Sequence, residues 1–527
     1  MTQRIRPLLT LLASALFAAC SATPPEPART RPRVDVVELS ATEAARRMRA
    51  GALTAHELTQ AYLDRIAAVD DAGPALNAVI EINPKALADA DARDAERTAG
   101  KVRGPLHGLP ILIKDNVDVA GMVNSAGSLA LAEHRPAADA YLVTRLRDAG
   151  VVILGKTNLS EWANFRSSRS SSGWSSRGGQ TKNPYALDRN PCGSSSGTGA
   201  AIAASLAAFG VGTETDGSII CPAAVNGLVG LKPTVGLVSR RGIIPISVSQ
   251  DTAGPMTRTV EDAALLLSAL ASPDDADPAT SPATWKAADY PAALEAAALK
   301  GKRFGVLRQA MKYHPDVDAA MEKSIAALKA AGAVVEDVTM PTYEKWGDAE
   351  FEVLLYEFKD GLNAYLQASG APHRSLQALI AWNGAHASAA MPFFDQDIFE
   401  KAQAKGPLTD AAYRKARDTA RRLSGQEGLL AVLDGKKLDA LIAPSTSPAW
   451  LTDHVLGDHF VGAGYGTAAV AGTPSLTVPM GESHGLPIGL TFMGRAFSEA
   501  DLLAFGHAFE QVIKARKPPA FKASASS

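Results

Sequence analysis

The chain has little that would point to nucleic acid, a metal or a membrane span. Lys plus Arg number 53 against 55 Asp plus Glu, so there is no basic excess of the kind that binds phosphates. It contains no His-Glu-x-x-His motif and no close His/Cys/Asp cluster with ligand spacing, which argues against metal-dependent hydrolysis. Beyond the N-terminus no apolar run is long enough to cross a bilayer. We therefore expect no metal, no other cofactor and no nucleic acid partner.

The first 20 residues differ from the rest. Two arginines precede an apolar run of about twelve residues, Leu8 to Ala19, which is too short for a membrane span and typical of a signal peptide. Small residues before Cys20 are typical of a bacterial lipoprotein cleavage site, although Phe17 stands where Leu is usual. We predict a signal peptide at 1–20, a Pro/Ala/Arg-rich tether at 21–34, and a location in a bacterial cell envelope (periplasm or outer membrane). Lipid anchoring at Cys20 is the first expectation, and ordinary secretion is the alternative.

Cysteine is scarce, with only Cys20, Cys192 and Cys221. If Cys20 carries lipid, an exported protein could pair the other two. Both lie beside serine-rich segments, and we interpret them as small packing residues and not as nucleophiles or ligands.

Alternating apolar strands and amphipathic helices predict an α/β fold. Capping boxes at Ser40-Ala41-Thr42-Glu43 and Thr54-Ala55-His56-Glu57 predict helices that end near Ala50 and Val69. Strands are predicted at 76–82, 110–114, 151–154, 303–307, 334–340, 440–443, 475–479 and 489–493. Helices are predicted at 142–148, 200–208, 316–331 and 498–514, with a turn at 210–212 and a mostly helical region at 345–435.

Three polar segments stand out against this background. Lys114 closes an apolar strand, so it is either a snorkelling surface lysine or a desolvated amine able to act as a base. Residues 190–199 read Asn-Pro-Cys-Gly-Ser-Ser-Ser-Gly-Thr-Gly, which suits a flexible loop, a helix cap or an anion site but lacks a P-loop ending. In the third segment Gly217 precedes Ser218, which fits a strand-ending turn or a turn whose N–H groups converge on one point.

Together the segments resemble the amidase signature family. Ser194 follows Lys114 by 80 residues and Ser218 follows Ser194 by 24. The flanking runs Gly230-Leu231-Lys232-Pro233-Thr234 and Asp251-Thr252-Ala253-Gly254-Pro255-Met256 extend the similarity. The resemblance covers about residues 35–515, leaves 516–527 as a tail, and implies a single large α/β/α domain around a twisted mixed β-sheet.

The resemblance also implies a role for each matching residue. Ser218 is the expected nucleophile, Ser194 the bridging serine after a cis peptide bond, and Lys114 the base. The expected oxyanion hole is formed by the N–H groups of Thr215, Asp216, Gly217 and Ser218, with Ser195 in support. The implied enzyme is an amidase that needs neither metal nor cofactor.

The sequence departs from the commonest family pattern at Glu214, Asp216 and Ile220. These departures resemble the bacterial peptide amidase branch, which implies removal of C-terminal peptide amides with no obligate partner chain.

Three alternatives stay open at this stage. They are a general amidase or esterase on small amides, a non-catalytic lipid-anchored binding protein, and an α/β-hydrolase with Ser195 in a Gly-x-Ser-x-Gly elbow. Five aromatic residues are expected to line an apolar substrate cleft: Trp162, Phe165, Trp174, Tyr356 and Phe394.

Overall fold

A mixed β-sheet runs through the computed structural model of this protein, which describes residues 2, 34–280, 285, 288–295 and 299–525. Among these residues the strands are β1 (Val79–Ile82), β2 (Pro110–Lys114), β3 (Val152–Thr157), β4 (Trp174–Ser175), β5 (Gly179–Gln180), β6 (Phe209–Glu214), β7 (Val229–Lys232), β8 (Thr252–Thr257), β9 (Arg303–Leu307), β10 (Val334–Val338), β11 (Ala440–Pro444), β12 (Ser475–Ser483) and β13 (Leu486–Met493). Eleven of them form one sheet in the order β1-β3-β2-β6-β8-β7-β12-β13-β11-β9-β10, and β4 pairs with β5 separately.

Helices surround this sheet. Within the described residues they are α1 (Ala41–Arg49), α2 (Ala55–Val69), α3 (Ala86–Thr98), α4 (Tyr141–Asp148), α5 (Ser196–Ala203), α6 (Ile220–Val225), α7 (Val260–Leu270), α8 (Tyr290–Glu295), α9 (Pro315–Ala330), α10 (Gly347–Ala368), α11 (Leu376–Ala385), α12 (Ala387–Ala390), α13 (Asp397–Gln403), α14 (Ala411–Arg421), α15 (Leu430–Lys436), α16 (Gly466–Ala471) and α17 (Glu499–Ile513). A π-helical segment, Arg422–Leu429, joins α14 to α15. The expected α/β class and the helical character of 345–435 are therefore confirmed.

Residues Asp35–Ser527 form one compact unit. The predicted signal peptide, its Cys20 and almost all of the tether lie outside the described residues. In the part of the chain that the structure describes, no helix is both long and apolar enough to cross a membrane.

The directions of the strands determine where the polar side chains at their ends lie. Strand β2 runs parallel to both β3 and β6, so the carboxyl ends of these three strands meet at one edge of the sheet. Lys114 is the last residue of β2, and Glu214 is the last residue of β6. On its other side β6 pairs antiparallel with β8. Polar residues that follow β2 and β6 are thus brought together at the carboxyl edge.

The turn predicted at 210–212 is wrong, because these residues lie inside β6. Helix α5 begins at Ser196, earlier than the 200–208 that we predicted. The glycines of β6 allow this helix to pack closely on the strand. A Cβ on Gly210 would lie 2.6 Å from Thr198 Cγ2, and one on Gly212 would lie 2.9 Å from Ser195 Oγ. Glycine here marks a close helix–strand approach and not a chain reversal.

Other boundaries follow the sequence pattern. Strands β2 and β9 have the predicted bounds, and α1 and α2 start after the predicted caps, with a complete capping box at Thr54. Strands β7 and β8 were not predicted. The first contains the buried Lys232 and the second contains Gly254 followed by Pro255, residues that disfavour a strand interpretation.

Candidate active site

Lys114 lies at the carboxyl edge of β2 with its side chain fully buried. Its Nζ lies 2.8 Å from Ser194 Oγ and 3.0 Å from Ser195 Oγ. It also contacts Thr213 twice, at 2.9 Å to Oγ1 and 3.2 Å to the carbonyl oxygen. Burial lowers the pKa of Lys114 to about 7, against the opposing effect of the Glu214 and Asp251 carboxylates. A neutral amine has a lone pair, so at this pKa Nζ can accept a proton from a serine hydroxyl near neutral pH.

Ser194 and Ser195 precede α5 and face this amine. The Gly193–Ser194 peptide bond is cis, as the family resemblance implied. The Ser195 hydroxyl donates to the Thr213 carbonyl at 3.0 Å and accepts from the Thr213 N–H at 3.2 Å. The Ser195 N–H donates to the carbonyl oxygen of Ser218 at 3.2 Å. Ser195 therefore ties the Ser194 segment both to β6 and to the turn that carries Ser218.

The turn that carries Ser218 connects β6 to α6. Gly217 adopts a φ of 80°, and a Cβ there would collide with the Tyr465 ring, so this position requires glycine. The Glu214 carboxylate accepts hydrogen bonds from the N–H groups of Ile219 at 2.7 Å and Ile220 at 2.9 Å. This carboxylate is buried and its pKa is raised by burial, with Lys232 opposing the shift. Glu214 thus fixes the start of α6 directly after Ser218.

The four predicted oxyanion-hole residues, Thr215, Asp216, Gly217 and Ser218, all lie in this turn. The Gly217 N–H also interacts with the Glu214 carboxylate and opposes the rise in its pKa. Which of the four N–H groups faces a substrate oxygen stays a prediction.

Ser194 and Ser218 line one small cavity with a volume of about 10 Å³. Its other walls are formed by Asn116, Ala163, Thr213, Glu214, Thr215, Ile243, Ile244, Ile246, Asp251 and Thr252. A cavity of about 370 Å³ shares Ile243 and Asp251 with it. A small chamber with polar and aliphatic walls thus lies at the serines, and a roomier cavity lies beside it.

None of the five predicted aromatic residues lines the small cavity. Trp162 and Phe165 belong to an apolar cluster with residues of α10 and α13. Trp174 packs edge-on against Phe394 at a centroid distance of 5.1 Å, and Tyr356 packs against Tyr413 at 5.6 Å. Aliphatic side chains at 243–246 occupy the wall where we expected aromatic ones. The aromatic rings instead pack against one another and against helices α10, α13 and α14.

Cys192 and Cys221 form a disulfide with a Cα–Cα distance of 6.0 Å. The interpretation as unpaired packing residues was therefore wrong. Cys192 precedes Ser194 by two residues and Cys221 follows Ser218 by three. Since Ser195 joins these two segments directly, the cysteines beside them are also brought together. The disulfide packs in an apolar cluster with Val225, Ala449 and Trp450.

Two carboxylates near the turn were missed as site residues. Asp251 is buried and accepts from Thr215 Oγ1 at 2.6 Å and from the N–H groups of Ile246 and Ser247 at 2.9 Å each. Burial raises the pKa of Asp251 to about 6. The sequence signal for Asp251 was its place in a family-like run, but nothing in that run showed its contact with Thr215.

Glu350 on α10 is the second missed carboxylate. Burial raises its pKa to about 7. The same cause raises the pKa of Asp216 well above its ordinary value, and the neighbouring Glu350 and Glu214 carboxylates raise it further. Gln250 Nε2 donates to Glu350 Oε1 at 2.9 Å and to the Thr215 carbonyl at 3.3 Å. Both shifts favour the protonated forms of these two acids.

The contacts exclude the α/β-hydrolase alternative. Ser195 contacts Lys114 and Thr213, as described above, and its segment does not follow a sheet strand. That fold would also need a downstream acid and histidine, for which the sequence offers Asp453 with His454 or Asp458 with His459. His454 stacks on Phe393 at a centroid distance of 4.1 Å. Asp458 accepts hydrogen bonds from the Ser172 N–H and Trp450 Nε1, so it serves the loop structure.

A lysine, two serines and a turn rich in N–H groups thus lie together at the carboxyl edge of a mixed sheet. The family model described as Amidase matches residues 57–503. The chain belongs to this family, the amidase signature family.

Three relatives show the range of the similarity. The crystal structure of peptide amidase from Stenotrophomonas maltophilia is 56% identical, covers 92% of this chain and 99% of that chain, and superposes with a TM-score of 0.89. A probable amidase of Arabidopsis thaliana is 40% identical over 485 residues, or 89% of each chain. A putative amidase of the fungus Arthroderma benhamiae is 38% identical over 487 residues, which cover 87% of this chain and 79% of its own.

The fold and the family model together make this protein an amidase that hydrolyses amide bonds. Membership of this family favours an enzyme over the alternative of a non-catalytic binding protein. The finer questions are which residues carry out the reaction and which amide is cleaved.

Proposed function

We propose that the protein removes ammonia from C-terminal peptide amides, with Ser218 as nucleophile, Ser194 as bridging serine and Lys114 as base. The observation that carries the proposal is the 2.8 Å contact between buried Lys114 Nζ and Ser194 Oγ, in a site where Ser194 and Ser218 share one cavity. The similarity to peptide amidase supports the choice of substrate.

The reaction begins with a proton relay. Neutral Lys114 takes the Ser194 proton while Ser194 takes the Ser218 proton, and Ser218 Oγ bonds to the amide carbon. N–H groups of the 215–218 turn stabilise the oxyanion, and loss of one such donor costs about 2.7–4 kcal/mol. The relay then returns a proton to the amide nitrogen, the C–N bond breaks, and ammonia departs. Water, activated by the same relay, cleaves the ester of Ser218 and releases the carboxylic acid.

The cavities agree with a peptide amide. Ser194 and Ser218 line a small cavity, and the cavity of about 370 Å³ that shares Ile243 and Asp251 with it has room for a peptide portion. Transfer of the ammonia to a second substrate does not belong to the proposed reaction. Asp216 and Ile220 depart from the commonest family pattern around the nucleophile, and the departures resemble the peptide amidase branch.

The test is ammonia release from a C-terminally amidated dipeptide, measured for wild type and Ser218→Ala in parallel. We expect release by wild type alone. Release by both proteins would remove Ser218 from the mechanism. Turnover of small amides or esters without the dipeptide amide would favour the general amidase or esterase.

We also propose that the protein acts in a bacterial cell envelope, attached through lipid on Cys20. The support is the pattern of the first 20 residues, together with the Cys192–Cys221 disulfide, since disulfides persist in oxidising compartments such as the periplasm.

A further inference from the structure

Asn116 is a cavity residue that the proposed mechanism does not use. It lies two residues after Lys114 and lines the same cavity as Ser194 and Ser218. The side chain is only 4% exposed. Its Nδ2 donates to Thr213 Oγ1 at 3.0 Å, and the same oxygen lies 2.9 Å from Lys114 Nζ. Thr213 therefore holds the Asn116 amide in a fixed position beside the base.

The carbonyl end of this side chain is unsatisfied. Within the described part of the chain, no donor reaches the buried Asn116 Oδ1. Burying a carbonyl oxygen without a donor is unfavourable, and most such groups in folded proteins find a partner. An acceptor that is kept buried at the wall of a catalytic cavity is suited to a donor that arrives with the substrate.

We propose that Asn116 Oδ1 accepts a hydrogen bond from the nitrogen of the substrate's primary carboxamide, and so selects unsubstituted amides. This inference rests on the proposed function. The carbonyl oxygen of the scissile group is itself an acceptor, so only the amide N–H can pair with Asn116. An ester has no N–H at this position and gains nothing from the contact.

The location of Asn116 matches the path of the leaving group. In the proposed relay Ser194 delivers a proton to the departing nitrogen, so that nitrogen lies on the Ser194 and Lys114 side of the reacting carbon. Asn116 is on this side because it shares Thr213 with Lys114. Both N–H groups of a primary carboxamide are available to this acceptor, whereas a methyl substituent on the nitrogen replaces one of them.

The experiment compares two substrates with the same acyl group, a C-terminally amidated dipeptide and the methyl ester of that dipeptide. We expect Asn116→Ala to lower kcat/KM for the amide at least tenfold more than for the ester. Thr213→Val is a second variant, because it removes the hydroxyl that contacts both Lys114 and Asn116. It should lower both activities, and the amide activity more than the ester activity, because Asn116 also loses its fixed position. The pH profile of Asn116→Ala should keep the midpoint of the wild type, because Lys114 stays in place.

Equal losses on both substrates in Asn116→Ala, with a wild type active on the amide, would overturn this inference alone. Asn116 would then act only by positioning Thr213 and Lys114. Wild-type turnover of the ester without the amide would overturn the proposed function as well. A second measurement needs no variant: wild type should cleave the N-methylamide of the same dipeptide at least tenfold more slowly than the primary amide. Comparable rates on the two amides would overturn selection of the unsubstituted nitrogen.

Discussion

At the scale of single residues, the titration of Lys114 sets the pH dependence. Burial lowers the pKa of this lysine to about 7, and the relay needs its neutral form. Activity should therefore be high above this pKa and fall as pH decreases through it, by about tenfold per pH unit on the acidic limb. The measurement is kcat/KM for a peptide amide from pH 5 to pH 9, with thermal unfolding at each pH as the control for stability. A flat profile across neutral pH would contradict the role of Lys114 as the base.

Substitution of the same residue gives a second prediction. Lys114→Met keeps the length of the side chain in its buried site but has no amine. We expect amide hydrolysis at neutral pH to fall at least a thousandfold while the fold is retained, because both serines lose their proton acceptor. Lys232→Met is a matched control, since Lys232 is equally buried and its Nζ donates to the Pro233 carbonyl at 3.1 Å instead of to a serine. Full activity in Lys114→Met would remove the base from the mechanism.

Residues that matched a motif were the ones that the sequence could place. Lys114, Ser194 and Ser218 meet because β2 and β6 are parallel and end at the same edge. Asp251 and Glu350 escaped prediction because each acts through a long-range contact, Asp251 with Thr215 and Glu350 with Gln250. The protonation of such buried acids depends on their surroundings in the fold, which the local sequence does not contain.

At the scale of elements, the disulfide joins the Ser194 segment to the start of α6 beside Ser218. A disulfide between residues 29 apart constrains the unfolded chain and typically stabilises a protein by about 2–4 kcal/mol. We expect Cys192→Ser/Cys221→Ser to lower the free energy of unfolding by this amount. It should also lower kcat more than KM, because the two serines lose a constraint on their separation. Chemical denaturation and steady-state kinetics measure the two effects.

Two further proteins complete the disulfide experiment. Cys20→Ser keeps the disulfide and should match the wild type in both assays. Wild type treated with reductant should approach the double variant. A double variant with unchanged stability and kcat would show that the hydrogen bond from the Ser195 N–H to the Ser218 carbonyl is sufficient to hold the segments.

The elements that were predicted well have a clear hydrophobic pattern or a helix-capping motif. The apolar run of β2 and the capping box of α2 are local signals, and both elements appear with the expected bounds. Strand β6 was missed because its glycines are typical of turns when read alone. These glycines are needed because Thr198 of α5 and Ser195, just before α5, pack closely against the strand. This contact exists only after folding.

At the scale of the whole molecule, the helical region 345–435 packs against the site through one apolar cluster. Leu355, Phe358 and Phe399 pack with Trp162 and Ile246 in one apolar cluster. Ile246 also lines the small cavity at the serines. Ile244 and Ile246 thus pack with these helices on one side and line the cavity on the other. That the helical region shapes the substrate site stays a prediction. The sequence showed the helices but not which of their side chains pack with residues 244–246.

The location of the whole protein gives the last prediction. If Cys20 is lipidated, wild type expressed with its own N-terminus in a Gram-negative host should sediment with membranes, whereas Cys20→Ala should be released in soluble form or retained as an unprocessed precursor. Mass analysis of the mature protein should show an N-terminal diacylglyceryl cysteine. A soluble periplasmic wild type with no lipid would favour ordinary secretion.

With or without lipid, the Cys192–Cys221 disulfide should be formed in the exported protein. A cytoplasmic form lacking residues 1–20 should instead contain free thiols and show the lower stability of the double cysteine variant. Free thiols in the exported enzyme would contradict the link between the disulfide and the compartment.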